Sequence, residues 1–320
     1  PIFTSGKMKT MLPLITEVST QLIDELGRKA EAGQEFNLKD VYGKYSLDGL
    51  ASCAFGVDAQ SFTNEKSVFV KYAADIFTEG AMDNLAFLLK LVPGMTSVFQ
   101  FFNINLFKKT PTKYFRDMIV KTLETRRKSE GRRNDLVDLM LDCLDKVEEQ
   151  SKDEGFAESK EQFDRDQKYS HKTGARITEE DVVATALVIL VAGYDTTGVT
   201  LSYLTYAMSK NPNIQEKLQE EVDAAFEDNN GELPDYSTIM NLPYLDMVIH
   251  ETLRRFNPVK FNTRSCTQDF RLPGTDITVK AGDLLSIPVS GFHQDPEHFS
   301  HPEEFYPEHF SKEEKATRNP

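Results

Sequence analysis

Asp195, Thr196 and Thr197 stand in a row next to the most apolar stretch of the chain. A carboxylate beside hydroxyls can bind and order water and hand on a proton, the work of a general acid. Glycines flank the row at Gly193 and Gly198. Gly costs about 1 kcal/mol in a helix interior, and Asp and Thr are mediocre helix formers. The cluster Ala192-Gly193-Tyr194-Asp195-Thr196-Thr197-Gly198 therefore reads as a notch that admits a ligand against the backbone; the alternative is that the helix surfaces here. A second pair, Glu251 and Arg254, lies three apart, within pairing distance on one helical face. Alone, such a pair is usually a solvated surface contact worth little. The three cysteines, Cys53, Cys143 and Cys266, are too few and too scattered for a disulfide framework or a zinc site, so no metal site is assigned to them. They read as reduced thiols in or near a core.

The elements that must hold these residues are mostly helices. From Lys7 to Ala32 apolar residues recur at helical spacing, with Gly33 as a stop. Further helices are expected over Leu38–Phe55 (ending at Gly56), Phe69–Thr78, Thr112–Lys128 and Asp135–Val147. Thr178 and Asp181 make a loose capping box for the helix that carries the notch. Val182 to Gly193 has one polar side chain, Thr185, so this helix is expected to be buried on all sides. The apolar run is too short for a membrane span. Continued to Ser209, the helix covers roughly 45 Å, enough to cross a domain. Asn241 and Pro243 open the helix of Glu251 and Arg254, and Asn257-Pro258 closes it. The stretch from Leu85 to Phe107 is rich in aromatic and aliphatic residues; it reads as an ordinary core connection or as an apolar lid or membrane-dipping segment. Gln150 to Arg176 is charged and small, a mobile surface loop. Phe270 to Ile287 has the pattern of short strands and turns.

The chain has 320 residues and carries 37 Lys and Arg against 51 Asp and Glu, a net charge of -14. That balance argues against nucleic acid as the main partner. The class is mainly α with a small β region near the C-terminal end. A single domain over 1–320 is expected, with its helical bulk at 1–257, the charged loop at 150–176, a β-rich segment at 258–290 and a meander at 291–320.

Four motifs in order carry a resemblance. Ala192-Gly193-Tyr194-Asp195-Thr196-Thr197 matches A/G-G-x-D/E-T-T/S, and about 55 residues on, Glu251-Thr252-Leu253-Arg254 matches E-x-x-R. Phe292-His293-Gln294-Asp295-Pro296 follows, and then Pro302 to Phe310, close to P-x-x-F-x-P-E-R-F. Together they resemble the cytochrome P450 family. Phe3 to Met8 and Leu38 to Gly43 are similar to its microsomal branch, which oxidises drugs, toxins and steroids. There are two departures. The family's haem-ligating Cys loop, F-x-x-G-x-R-x-C-x-G, is not found before Pro320, and Cys266 lacks the glycines the loop needs. His309 stands where the family usually has Arg.

The resemblance implies the helix-rich P450 fold around a long distal helix, incomplete in this chain, and a monooxygenase that inserts oxygen from O2 into a lipophilic small molecule. It implies haem b (iron protoporphyrin IX) held by a thiolate beyond Pro320. NADPH would act indirectly through NADPH-cytochrome P450 reductase, at the cytosolic face of the endoplasmic reticulum membrane. Asp195 and Thr196 match the proton-delivery pair. Ala192 and Gly193 would face the haem and leave room for oxygen, and Arg264 would bind a haem propionate. Val259 to Thr263 and Leu85 to Phe107 would line or cover the substrate pocket. Glu251 and Arg254 would be structural, with His309 docking on them. Read without the resemblance, the chain could also be a non-catalytic helical binding protein; within the fold it could be an isomerase or dehydratase.

Overall fold

A computed structural model describes residues 5–64, 67–77, 109–129, 131, 133, 135–142, 144 and 178–318. The Leu85–Phe107 stretch, the Gln150–Arg176 loop and Cys143 lie outside the described residues. The helical expectations hold over most of the described residues. Helix α1 spans Ser5–Glu31, α2 Leu38–Leu50, α3 Val68–Phe77 and α4 Lys109–Arg127. Residues 136–142 form α5. The long notch helix is α6, Glu179–Lys210, and α7 (Pro212–Asp228), α8 (Tyr236–Met240) and α9 (Pro243–Arg255) follow. After the strands come α10 (Val289–His293), a 3-10 turn over Pro307–Phe310 and α11 (Lys312–Thr317). The sequence reading missed α7. Its signals were Pro212 at the first turn and Ile214, Leu218, Val222 and Ala225 at helical spacing.

The chain divides into two compact units. The first holds the described residues of 5–36, 44–77 and 109–195. Its core joins Leu47, Phe55, Phe69, Phe115, Ile119 and Leu123 to Val182, Val183, Ala186 and Leu190 of α6. Helix α2 does not simply stop at Gly56. It loosens into a π-helical turn over Ala51–Phe55, and Gly56 ends it in the left-handed conformation, φ 62°. A side chain there would collide with Arg126, and its Cβ would stand 2.6 Å from Asp135 Oδ2, so only glycine fits.

The second unit holds 37–43 and 196–318. Its buried apolar cluster is small: Ala207, Met208, Tyr244 and Val248, with Leu204, Leu218, Phe256 and Phe305 packed against it. Helix α9 starts where Glu221 of α7 meets it: the Glu221 carboxylate accepts from the N–H groups of Tyr244 and Leu245, both at 2.8 Å. A carboxylate at a helix N-terminus satisfies orphan donors and the helix dipole together. The strands form two small antiparallel pairs. In the inner pair, β2 (Phe270–Arg271) meets β3 (Thr278–Val279) around the Pro273-Gly274 turn. In the outer pair, β1 (Asn262–Ser265) meets β4 (Leu284–Ile287) with Arg264 opposite Leu285. The expected hairpin is there, and β1 lies within the β-rich segment expected over 258–290, ahead of the run of short strands read from Phe270.

Candidate functional site

Helix α6 begins with the anticipated capping box. The Thr178 N–H donates to Asp181 Oδ2 at 2.8 Å, and the Asp181 N–H donates to Thr178 Oγ1 at 3.2 Å. The Thr178 hydroxyl, which donates to Asp181 Oδ2 at 2.7 Å, and the Thr178 N–H hold the Asp181 carboxyl below the usual range. Beyond the cap, the expectation of burial on all sides is wrong. Val182, Val183, Ala186 and Leu190 face the core, whereas Thr185 and Ala192 are exposed and Val188 is 65% exposed. Positions 185, 188, 192 and 196 recur at helical spacing, so they form one row along the open side of the helix. Apolarity all round therefore reflects two different surroundings, a packed core on one side and an open apolar face on the other. Asp195 and Thr196 are consecutive and half-buried at the end of that row.

The glycines of the notch sit where neighbouring parts of the chain come close. A Cβ on Gly193 would come within 2.8 Å of Leu50 Cδ2. On the same side the Ser46 hydroxyl donates to the carbonyls of Gly193 and Tyr194, both at 2.9 Å. Gly193 thus makes room for α2. Ala192, one residue and about 100° away, is the one on the open row. At Gly198 the neighbour is backbone: a Cβ there would lie 3.2 Å from both Cα and N of Gly43. The two glycines let neighbouring chain come close, the Leu50 side chain at Gly193 and the Gly43 backbone at Gly198.

Arg264 lies exposed on β1, its Nη1 donating to the Thr263 carbonyl at 3.0 Å. Cys53 is not suited to hold a metal as a thiolate. Burial, reinforced by the charge of Asp135, pushes the Cys53 thiol up to about 11. The Cys266 thiol donates to the Gln268 carbonyl at 2.9 Å.

The Glu251–Arg254 pair is far from a surface contact. Glu251 is 0% exposed, Arg254 2% and His309 1%. Arg254 grips the carboxylate with both arms, Nε to Oε2 and Nη2 to Oε1, each at 2.7 Å. Its remaining hydrogens go to three backbone carbonyls: Nη1 donates to His293 at 2.7 Å and Pro302 at 2.8 Å, and Nη2 to Glu304 at 2.9 Å. All five donors of the guanidinium are used. Glu251 Oε1 also accepts from the Tyr306 N–H at 2.8 Å. His309 docks where expected, but loosely. Its Nδ1 is 3.3 and 3.4 Å from the two Glu251 oxygens, while Nε2 donates to the Ser300 carbonyl at 2.6 Å. One ion pair thus ties α9 to four points of the irregular chain between 293 and 309.

This ordered set of motifs on a helix-rich fold has known counterparts. A family model for cytochrome P450 matches residues 1–320. Cytochrome P450 3A11 of Mus musculus is 36% identical over 321 aligned residues, which cover all of this chain and 59% of that protein. Cytochrome P450 3A2 of Rattus norvegicus is 35% identical over the same shares. Cytochrome P450 3A28 of Bos taurus is 33% identical, with 58% of its length covered. The chain belongs to the cytochrome P450 family. It spans about three-fifths of the length of the curated relatives it matches.

Proposed function

We propose that the complete protein is a haem-thiolate monooxygenase of the microsomal type, at the cytosolic face of the endoplasmic reticulum membrane. It would insert one oxygen atom from O2 into a lipophilic small molecule, a xenobiotic, steroid or fatty-acid-like compound, with electrons from NADPH through a reductase. The observation that carries this reading is the open apolar row of α6, Val188 and Ala192, leading to Asp195 and Thr196. An apolar face left open on the longest helix marks a surface for a ligand, a partner or a membrane.

The row fits one side of a haem. Val188 and Ala192 offer a flat apolar surface on which a macrocycle can lie with water excluded. Thr196 offers a hydroxyl that both donates and accepts, and Asp195 a carboxylate that exchanges protons with water. When bound, a thiolate-held haem supplies the activation of O2, and the protein's part is proton supply, shape and exclusion of water. The exposed guanidinium of Arg264 suits a propionate. The thiolate itself falls to neither Cys53 nor Cys266, for the reasons given above. The domain expected over 1–320 is part of the same proposal.

Thr196→Ala in the complete protein tests this. Haem content should stay near that of the parent. Product formed per NADPH consumed should fall, with the lost equivalents appearing as peroxide. Unchanged product per NADPH would show that Thr196 only fills space.

A further inference from the structure

The turn after Ser300 gathers an imidazole and two carboxylates at one spot. His301, Glu303 and Glu304 are exposed, and one ligand atom from each lies within 4.8 Å of the other two. The Glu304 N–H donates to the His301 carbonyl at 3.0 Å, and His301 turns the chain with φ 48°. Underneath, the main chain of this turn is held from the buried side. Arg254 donates to the Pro302 carbonyl at 2.8 Å and to the Glu304 carbonyl at 2.9 Å, and His309 Nε2 donates to the Ser300 carbonyl at 2.6 Å. Three fixed points, at 300, 302 and 304, thus set where the three exposed side chains start.

Two carboxylates side by side repel each other unless a cation stands between them. Among the described residues no Lys or Arg forms an ion pair with Glu303 or Glu304, and the His301 ring has no hydrogen-bond partner. Zinc takes His nitrogen and Glu oxygen at about 2.0–2.2 Å, which puts two ligands of one ion roughly 3.4 Å apart at tetrahedral angles. Exposed side chains on a held backbone close from 4.8 Å to that spacing by movements of about 1 Å. The imidazole sets the class of ion. Magnesium and calcium want oxygen throughout, whereas a mixed set of one nitrogen and two oxygens suits a divalent transition-metal ion.

We propose that His301, Glu303 and Glu304 form a surface site for a divalent transition-metal ion, zinc foremost, with water completing its shell. The ion closes from outside the turn that Arg254 holds from inside, and so stiffens the irregular chain between 293 and 309. The site is independent of the activity proposed above.

The test is equilibrium dialysis of the complete protein against zinc chloride, with bound zinc counted by atomic absorption. The parent should retain one equivalent more than His301→Gln, and one more than the double variant Glu303→Gln with Glu304→Gln. A group that merely orients a metal ligand is worth about 10–100-fold in affinity, so loss of the ligand His301 should weaken this equivalent at least about tenfold. His298→Gln, which alters an exposed histidine outside the cluster, should bind zinc as the parent does. An ion that binds only the folded protein stabilises it by mass action, so zinc should raise the parent's Tm more than that of either ligand variant. Equal zinc in the parent and both ligand variants, no zinc in the parent, or the same loss with His298→Gln would overturn the proposal. Magnesium retained as well as zinc would mark a mere pair of carboxylates and overturn it too.

Discussion

Both units bury a salt-bridged arginine, and the two arginines do different work. In the first unit, Arg126 of α4 meets Asp135 at 2.7 Å and Asp138 at 3.0 Å. Arg133 adds its backbone N–H to Asp138 at 2.7 Å and its Nη1 to the Gly56 carbonyl at 3.3 Å. This knot lies beside a broad apolar core and keeps 11% of the Arg126 side chain exposed. In the second unit the apolar cluster is small, and Arg254 is 1% exposed at its side chain. The regular elements of the first unit would find each other by burying Phe55, Phe115 and Leu123 alone. The irregular chain from 293 to 309 has no such face, and backbone carbonyls converging on one guanidinium replace it. Where secondary structure runs out, a fully satisfied polar group can take over what a hydrophobic core does elsewhere.

The largest expected effect tests that division of labour. Arg254→Met leaves Glu251 buried without its main partner and three carbonyls without donors. Removing one partner of a buried pair costs about 3–5 kcal/mol. Arg126→Met leaves two buried carboxylates, but Asp138 still accepts from the Arg133 N–H, Asp135 still accepts from the Asp138 N–H at 3.1 Å, and Arg133 Nε stands 3.9 Å from Asp135, so it should cost about 1–3 kcal/mol. Denaturant unfolding of both variants of the complete protein measures the difference. Hydrogen exchange should localise the Arg254→Met damage to 293–309. Equal losses, or a larger one at Arg126, would break the comparison.

These two knots also show what a sequence can and cannot reveal. Glu251 and Arg254 share a helix three residues apart, so their pairing was visible, and the ordered motifs around them argued for more than a surface contact. Their burial was not visible, because it comes from carbonyls 39 to 50 residues away. Arg126, Asp135 and Asp138 straddle a turn, and no helical or strand period relates them. The same limit applied to α6. Its apolar composition was plain, but composition does not say which side meets a core and which stays open. Gly193 and Gly198 stood out as helix breakers, yet whether a ligand or a neighbouring helix needed the space depends on Leu50 and Gly43, far away in sequence. Helix α7 was legible and was missed. The expected approach of His309 to Glu251 was legible too, though only through the resemblance.

The glycines sharpen the comparison with a middle-sized effect. Alanine gains about 1 kcal/mol over glycine in a helix. At Gly193 the obstacle is the end of the Leu50 side chain, which can turn aside. At Gly198 it is the backbone of Gly43, at 3.2 Å, which cannot. Gly193→Ala should therefore be close to neutral in unfolding free energy, whereas Gly198→Ala should lose about 1–2 kcal/mol through overpacking. If Gly198→Ala is the better tolerated, the close approach to Gly43 is not a constraint on this helix.

The smallest effect contrasts two buried carboxylates. Glu251 is met by cations, but Asp48 of α2, 5% exposed, is met by Ser61: the Ser61 N–H donates to its two oxygens at 3.2 and 3.1 Å, and the Ser61 hydroxyl donates to Oδ1. Burial is the larger influence and raises the Asp48 carboxyl above its ordinary value of 3.8, while the Ser61 bonds pull the other way. A raised folded-state value means that the folded protein holds this proton more tightly than the unfolded chain. The resulting stabilisation is fully present below 3.8 and is lost as pH rises through the folded value. Asn at this position has no proton to lose. The stability of the parent relative to Asp48→Asn should therefore decline as pH rises through the acid range and level off towards neutrality, by about 1 kcal/mol or less. Paired unfolding curves across that range measure it. A difference that grows with pH would overturn this reading of Asp48.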